Sequence, residues 1–174
     1  MRRENELIVF IALPPEPQVK EEAARLQGIL RERVIGSYPA PENHHITLAY
    51  LGKIKETETK EVLQILASLT LPECELTFDK LEVFPSYHKE MIVFHAECPQ
   101  ELMAYRTALI EQLTKRGFSP DPAPFRPHIT LVRAKTPGND ISGIAVRKQT
   151  MRASAAGLFH SFHSRGQQVY LPIG

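Results

Sequence analysis

"PAPFRPHITLVR", residues 122–133, repeats a pattern that occurs earlier in the same chain. Residues 39–48, "PAPENHHITL", carry the same Pro-Ala-Pro tripeptide ahead of the same His-Ile-Thr-Leu sequence. Further upstream, "LIVFIAL" at 7–13 resembles "MIVFHAE" at 91–97, and the spacing to the downstream segment is nearly the same in both copies. Matched segments in one order and at one spacing indicate an internal duplication.

Each copy also contains one amphipathic helical pattern between these segments. The apolar positions on one helix face are Val19, Ala23, Leu26 and Leu30 in the first copy and Leu102, Tyr105, Leu109 and Leu113 in the second. Each half therefore predicts a strand, a helix, a proline-containing loop and a His-Ile-Thr strand. We expect the two copies to form two lobes of a single domain over residues 1–174, with the internal repeat at roughly 7–54 and 91–136.

Strand and helix patterns alternate along the chain. The strand signals lie at 6–13, 45–51, 74–84, 91–97, 128–133, 152–163 and 167–173, and the helical patterns at 17–34, 57–69 and 99–116. Residues 137–143 predict a turn, and the weaker segment after it has the pattern of a short helix. Short breaks between strands favour hairpins over crossover connections. The predicted fold class is therefore α+β and bilobal: two pseudosymmetric lobes, each with an antiparallel sheet and helices on its outer face, and an active-site cleft between them.

Composition narrows the classes of function. The chain has 174 residues, 43% of them hydrophobic, and a formal net charge of +1. These values suit one compact soluble domain and argue against binding to long nucleic-acid duplexes, but they permit a short or single-stranded anionic ligand. Cys74 and Cys98 are too few for a disulfide scaffold or a thiolate zinc site, and we interpret them as reduced. No apolar run approaches the length of a membrane span, so we expect a cytoplasmic protein.

The two His-Ile-Thr strands present the same polar pair. Because side chains alternate along a strand, His45 and Thr47 share one face, and His128 and Thr130 share the equivalent face of the second copy. A single such pair is more often structural, a half-buried histidine beside a strand-forming threonine. Two copies in duplicated halves favour a functional interpretation. One imidazole can remove a proton at a phosphorus centre while the other delivers one, and the hydroxyls can donate to phosphate oxygens.

These motifs resemble those of the two-histidine phosphoesterases, specifically the RNA 2′,3′-cyclic phosphodiesterase or 2′-5′ RNA ligase family, which repeats His-x-Thr in two pseudosymmetric lobes. The resemblance covers nearly the whole chain: "LIVFIALPPE" is similar to the family's opening strand, "PENHHITLAYLGKI" to its first motif and "FRPHITLVRAK" to its second. It implies an enzyme without a metal or other cofactor that opens a ribose 2′,3′-cyclic phosphate at an RNA 3′ end and leaves a 2′-phosphate. Some members also join RNA halves weakly and reversibly through a 2′-5′ bond.

The same resemblance assigns roles to five residues. It implies that His45 and His128 are the catalytic pair and that Thr47, Thr130 and Arg133 bind the substrate phosphate. We assign His45 as proton donor and His128 as proton acceptor in an in-line attack of water on the cyclic phosphorus, and the reverse assignment stays open.

Arg133 needs a local irregularity to reach the cleft. It follows His128 at an odd offset, so on a regular strand it would point away from His128 and Thr130. We expect it past the end of the strand or at a β-bulge; otherwise it is a solvated surface arginine. Its counterpart after His45 is Tyr50, so the predicted site has one guanidinium. That asymmetry can distinguish the two ribose oxygens.

Three phenylalanines are candidates for stacking on a base: Phe10, Phe94 and Phe125. Phe10 and Phe94 occupy equivalent places in the aligned repeat and are more typical of core positions. Phe10 is kept as the base-stacking candidate because the opening strand of the resembled family contributes to its cleft.

The remaining histidines carry weaker signals. His44 has the wrong strand parity to join His45, which favours a surface position. His160 and His163 resemble a metal-binding pair only weakly, because no acidic partner is spaced with them.

We therefore predict RNA 3′ ends or small cyclic nucleotides as partners, with no metal, no cofactor, no membrane association and a monomeric state. Three alternatives stay open: the same fold acting on 2′-5′ oligoadenylate, on another cyclic phosphate such as that of ADP-ribose, or binding RNA ends or nucleotides without turnover. Intact histidines and threonines in both motifs argue against the last of these.

Overall fold

The computed structural model describes residues 4–86 and 89–174. Its strands are β1 (Glu6–Leu13), β2 (Gly36–Ser37), β3 (Ile46–Lys55), β4 (Glu75–Ser86), β5 (Lys89–Glu97), β6 (His128–Ala134), β7 (Gln149–Arg152), β8 (Gly157–Ser164) and β9 (Gln167–Ile173). Its α-helices are α1 (Pro17–Leu30), α2 (Thr59–Ser68) and α3 (Gln100–Lys115). Within these described ranges, no helix combines the length and the apolar character needed to cross a membrane.

The strands form two sheets, and the pairings among them are antiparallel. The strand order is β3-β1-β8-β9 in the first sheet and β2-β6-β5-β4-β7 in the second. β4 and β5 form a hairpin inside the second sheet, and β8 and β9 form one at the edge of the first. The predicted α+β class with antiparallel sheets is confirmed.

Each helix of the predicted repeat packs against the sheet that contains the other copy's His-Ile-Thr strand. α1 follows β1 of the first sheet but lies on β6 and β7 of the second, whereas α3 follows β5 of the second sheet and lies on β3 and α2. Two side chains mark this exchange. Gln27 Nε2 donates to the Leu131 carbonyl oxygen at 3.0 Å, and Arg106 Nε donates to that of Leu48 at 3.2 Å. Residues of both copies therefore share one buried core.

The two His-Ile-Thr strands contain the same irregularity. In the β1–β3 pair, Ala12 faces Thr47 and Ile11 faces Ala49, so Leu48 is an extra residue. In the β5–β6 pair, Val93 faces Thr130 and Ile92 faces Val132, so the equivalent Leu131 is extra. A β-bulge shifts the alternation of side chains beyond it, and here it does so at the same place in each motif.

Strand register also corrects one part of the repeat alignment. Leu13 faces Ile46 and Phe94 faces Ile129. The structural counterpart of Phe94 is therefore Leu13, and the expected equivalence of Phe10 and Phe94 was wrong. The shared Ile-Val-Phe tripeptide misled the alignment because buried strands accept apolar residues in several orders. Phe94 and Leu13 are both fully buried, as expected for Phe94.

The sequence predicted the end of α3 correctly but not the end of α1. α3 stops where predicted, and Gly117 after it takes a φ of +88° that favours glycine. The helix predicted over 17–34 instead ends at Leu30. The prediction was too long because Val34 continues the apolar pattern, but Val34 is buried as part of the turn that follows the helix.

Two expectations for the C-terminal region were wrong. The strand expected over 152–163 is interrupted after Arg152 and resumes at Gly157. The segment after 137–143 forms no helix in the described structure. Its backbone is held by α1 side chains instead: the amide of Arg147 donates to Glu22, and Arg25 donates to the Ala145 carbonyl. Sequence periodicity carries no signal for bonds of this kind.

Candidate active site

The two motif histidines are held in the same way. His45 immediately precedes β3 and His128 opens β6. Nδ1 of His45 lies 2.8 Å from the carbonyl oxygen of Asn43, and Nδ1 of His128 lies 2.7 Å from that of Arg126. A carbonyl oxygen only accepts hydrogen bonds, so Nδ1 carries the proton in both neutral rings. Nε2 is then the basic nitrogen in both.

A pocket joins the first motif to the second. Its wall is formed by Pro39, Asn43, His44, His45, Thr130, Arg133 and Tyr170. His45 thus shares a pocket with two residues of the strand that His128 opens. The charges of Arg133 and His128 both act on His45. The structure therefore brings His45, Thr130 and Arg133 together. Thr47 is half-buried on β3, and neither Thr47 nor His128 lines this pocket.

Arg133 reaches the pocket because of the bulge at Leu131. Val132 is fully buried, and Arg133, next to it in sequence, is exposed and lines the pocket with Thr130. The bulge predicted for Arg133 is thus confirmed. β2 fixes its backbone from the other side: Ser37 pairs with Arg133, and a Cβ added to Gly36 would lie 2.3 Å from the Arg133 carbonyl oxygen. Only glycine permits this close approach.

Burial lowers the pKa of both motif imidazoles below the ordinary value of 6.5. For His45, the Asn43 carbonyl opposes this shift by favouring the protonated ring, while the charges of Arg133 and His128 add to it. For His128, the Arg126 carbonyl raises the pKa, and the charges of His95, Arg126 and Arg133 lower it. Both rings are therefore predominantly neutral near pH 7 when the pocket is empty.

An aromatic cluster surrounds the His45 ring. The centroids of Phe10 and Tyr170 lie 4.8 Å and 5.1 Å from that of His45, and Phe10 also stacks on Phe159 at 5.6 Å. Phe10 is only 4% exposed. Its ring supports the imidazole and is covered by its neighbours, so the expectation that Phe10 stacks on a base does not fit the structure. Tyr170, which lines the pocket, is the aromatic side chain that a ligand can contact.

A different set of side chains surrounds His128. The Phe84 ring meets it edge-on at 4.9 Å, and the Arg126 guanidinium lies 4.5 Å above the Phe84 ring. Arg126 also forms a short ion pair with Glu82. Glu82 Oε2 in turn lies 3.8 Å from Nε2 of the buried His95. Phe84 and Glu82 belong to β4, outside the duplicated segments.

His44 is buried, contrary to the surface position expected for it. It is 4% exposed, and neither ring nitrogen has a hydrogen-bond partner among the residues that the structure describes. Burial, followed by the charges of His45 and Lys20, lowers its pKa to about 4. Strand parity did not apply because β3 begins only at Ile46 and His44 ends a 3-10 turn.

Other sequence candidates do not join the pocket wall. Phe125 lies beneath the Arg106 guanidinium, 5.5 Å from it. His160 packs on Phe162 at 4.9 Å, and His163 is exposed. Within residues 4–86 and 89–174, no group of three or more His, Cys, Asp or Glu side chains is arranged to hold a metal ion.

Comparison with known proteins places this geometry in context. Residues 13–94 and 93–170 each match the family model described as LigT-like phosphoesterase. The RNA 2′,3′-cyclic phosphodiesterase of Archaeoglobus fulgidus is 26% identical over 171 residues, which cover 95% of this chain and 93% of the relative. The enzyme of the same name from Escherichia coli is 27% identical over 174 residues, with the same coverage.

Solved structures show the same fold. A protein of Thermus thermophilus superposes with a TM-score of 0.80 at 19% identity, covering 97% of this chain and 96% of that one. Escherichia coli LigT, solved in complex with 3′-AMP, superposes with a TM-score of 0.79 at 20% identity, covering 98% and 97%. At such identities the structural match establishes the fold alone.

Proposed function

The chain belongs to the LigT-like phosphoesterase family, and we propose that it hydrolyses RNA 2′,3′-cyclic phosphate ends to 2′-phosphomonoesters. One observation carries the proposal. Two imidazoles are held in the same tautomer by main-chain carbonyls, and His45 shares a pocket with Thr130 and Arg133 from the strand of His128. Relatives named RNA 2′,3′-cyclic phosphodiesterase support the choice of substrate.

In the proposed reaction, water attacks the cyclic phosphorus in line with the bond to the ribose 3′ oxygen. Nε2 of His128 takes a proton from the water, and Nε2 of His45 gives one to the departing 3′ oxygen. A P–O bond to water forms, the P–O3′ bond breaks, and the phosphate stays on the 2′ oxygen. Thr130 and Arg133, which line the pocket, donate to the phosphoryl oxygens and stabilise their charge in the transition state. We propose the same role for Thr47 because it is the motif counterpart of Thr130.

The low pKa of both imidazoles is compatible with this scheme. The acceptor must be neutral, and burial favours the neutral ring. The donor must be protonated, and the bound substrate provides the cause: its phosphate anion favours the charged form of a nearby imidazole. Substrate binding therefore favours protonation of the donor, His45. Burial continues to favour the neutral form of the acceptor, His128.

Two imidazoles supply both proton transfers, so the proposed mechanism requires no metal or cofactor. A 5′ hydroxyl in place of water would give a 2′-5′ bond, which is the weak and reversible joining that we include in the proposal. Arg133 is the guanidinium that lines the pocket, and its repeat counterpart is Tyr50. This asymmetry gives the phosphate a preferred orientation and so selects the 3′ oxygen as leaving group. We also propose a cytoplasmic monomer acting on RNA 3′ ends or small cyclic nucleotides.

The test is incubation with 2′,3′-cyclic AMP and with an oligonucleotide that ends in a cyclic phosphate, in the presence of EDTA. We expect chromatography to identify 2′-AMP as the mononucleotide product. His45→Ala and His128→Ala should each lower kcat by about 10²–10⁴-fold. His163→Ala, at an exposed histidine, is the matched control and should leave kcat unchanged.

Each other result contradicts a named part of the proposal. Tight binding without turnover would indicate a nucleotide-binding protein. A 3′-AMP product would show that the 2′ oxygen leaves, and not the 3′ oxygen as proposed. Loss of activity in EDTA that a divalent cation restores would overturn the metal-free mechanism.

A further inference from the structure

Two side chains outside the His-x-Thr motifs occupy equivalent places beside the two catalytic candidates. Asn43 precedes His45, and Arg126 precedes His128, by the same two positions. Each provides the carbonyl oxygen that accepts the Nδ1–H bond of its histidine. The side chains differ in chemistry, one a neutral amide and one a guanidinium. Each side chain nevertheless bonds to another strand of its own sheet: Asn43 to the sheet that contains β3, and Arg126 to the sheet that contains β6.

Asn43 is tied to the far edge of the first sheet. Its Nδ2 donates to the carbonyl oxygen of Gln168 at 2.9 Å. Gln168 lies on β9, whereas the turn that carries Asn43 leads into β3 at the opposite edge. The Gln168 side chain is itself held, because its Nε2 donates to Ser161 Oγ at 2.7 Å and to the Phe162 carbonyl at 3.1 Å. The acceptor of the Asn43 amide is therefore fixed by the β8–β9 hairpin.

Arg126 is tied to β4, two strands away from β6 in the second sheet. Its guanidinium bonds to the Glu82 carboxylate and lies 4.5 Å above the Phe84 ring, whose neighbour is the His128 ring. This hydrogen bond lowers the pKa of Glu82, which keeps the carboxylate ionised. The Arg126 side chain is about half exposed, at 47%. An exposed ion pair contributes little to the free energy of unfolding. We therefore expect the Arg126–Glu82 pair to act mainly on the position of Arg126 itself.

We propose that Asn43 and Arg126 are positioning residues, whose side-chain anchors fix the two main-chain carbonyls and thereby fix the tautomer and the orientation of the His45 and His128 rings. The inference rests on the proposed function for its catalytic consequence, but the orientation of the rings can be measured without it. Without its anchor, a carbonyl rotates away, the imidazole loses its Nδ1–H acceptor, and the other tautomer and ring orientation become populated.

The experiment uses the full-length chain with Asn43→Ala, Arg126→Ala and Glu82→Gln. Asn139→Ala and Arg33→Ala are matched controls, because these two side chains also donate to main-chain carbonyls, at Thr136 and Ser142. Nitrogen-15 NMR of the imidazoles reports the tautomer of each histidine in the absence of substrate. Steady-state kinetics with 2′,3′-cyclic AMP report kcat and KM separately.

The expected result is specific to each site. Arg126→Ala and Glu82→Gln should mix the tautomers of His128 and leave His45 unchanged, and Asn43→Ala should do the converse. Each anchor variant should lower kcat by about tenfold with KM nearly constant, because a small misplacement of a reacting group reduces rate without reducing binding. The control variants should change neither the NMR signals nor kcat.

Two results would overturn the inference: unchanged tautomers in the anchor variants, or equal changes at both histidines, which would indicate general destabilisation. Should Arg126→Ala fail to fold, Glu82→Gln tests the same anchor with a smaller change. If the wild-type protein hydrolyses no cyclic phosphate, the proposed function fails, while the tautomer measurement still decides the role of the anchors.

Discussion

The proton balance of His45 and His128 sets a testable pH dependence. Burial lowers both pKa values below 6.5 in the free protein. The proposed mechanism requires one ring to be neutral while the other is charged. We therefore expect a bell-shaped profile of kcat/KM centred below pH 6.5, whose limbs belong to the pair rather than to single residues. The bell in kcat should lie at higher pH, because bound phosphate favours the protonated donor.

A pH-rate series on 2′,3′-cyclic AMP measures both profiles. Arg133→Ala removes a positive charge that lowers the pKa of each imidazole, so both limbs of kcat/KM should move to higher pH and kcat should fall. A kcat/KM profile centred above pH 6.5 in the wild type would contradict the electrostatic account.

His44 links folding to pH. Its pKa is about 4 in the folded protein because of burial, against about 6.5 in an unfolded chain. Unfolding therefore takes up a proton below pH 6.5, and the stabilisation present above that pH is lost as pH falls towards 4. Between pH 7.5 and pH 5, this residue alone should reduce the free energy of unfolding by about 2 kcal/mol.

Urea unfolding at the two pH values checks this prediction. His44→Leu fills the same buried volume without a titrating group, so its loss of stability at pH 5 should be smaller than that of the wild type by about that 2 kcal/mol. The exposed His163→Leu is the control and should behave like the wild type. Identical acid sensitivity in His44→Leu would show that His44 is not the linked group.

How far the site could be predicted depends on where each residue lies. His45, Thr47, His128, Thr130 and Arg133 are all in duplicated segments, so an internal copy drew attention to them. Tyr170 and Phe84 come from β9 and β4, which have no sequence copy, and only the sheet order brings them beside the two imidazoles. Phe10 was expected to stack on a base, but it packs on His45 instead, and its burial depends on β8 and β9 and could not be seen in its own strand.

At the level of elements, α1 is held on the second sheet by a buried amide. Gln27 is 2% exposed, and its Nε2 donates to the carbonyl oxygens of Pro39 at 2.9 Å and Leu131 at 3.0 Å. Gln27→Met preserves the shape and removes both bonds. We expect the free energy of unfolding to fall by about 1–3 kcal/mol, since the buried Leu131 carbonyl and the part-buried Pro39 carbonyl lose their donor.

Gln18→Met is the matched control for this change. Gln18 on the same helix also donates from Nε2, to the Thr150 carbonyl at 2.9 Å, but at the surface. Water can replace that donor, so the loss should stay below about 1 kcal/mol. Equal losses measured by urea unfolding of the two variants would contradict the role given to Gln27.

Helices and strands were predicted well where the local pattern is strong, and their packing was not predicted where it depends on tertiary contacts. The helix over 57–69 and the strand at 128–133 have strong periodicity, and the structure has them within a few residues. The sheet that each helix covers is not encoded in the helix face: Leu26 and Leu30 would suit either sheet. The exchange of α1 and α3 depends on the path of the whole chain, which no single segment specifies.

For the whole molecule, the exchange predicts that the halves do not fold alone. Residues 1–70 contain α1 without the β6 and β7 surface on which it packs, and they lack β8 and β9 of the first sheet. Residues 71–174 contain the second sheet without β2 and α1. Each fragment would expose a large apolar face.

We therefore expect each purified fragment to give a poorly dispersed NMR spectrum and no cooperative unfolding by circular dichroism. An equimolar mixture should regain native signals in part, because the missing surfaces are then supplied in trans. A cooperative transition in either fragment by itself would show that the lobes are independent.

The helix exchange also constrains how such a chain can have arisen. A single copy of the predicted repeat would need the strands of a second copy beneath its helix, so a one-copy ancestor would have been an obligate pair of identical subunits. The phosphate of the proposed substrate would then have lain on the symmetry axis, between two equal histidines with nothing to tell its two ester oxygens apart. Once the two copies were joined in one chain, equivalent positions could differ in sequence. Position 50 is now a tyrosine, and the equivalent position 133 is an arginine. On this view, fusion gave the proposed reaction its direction.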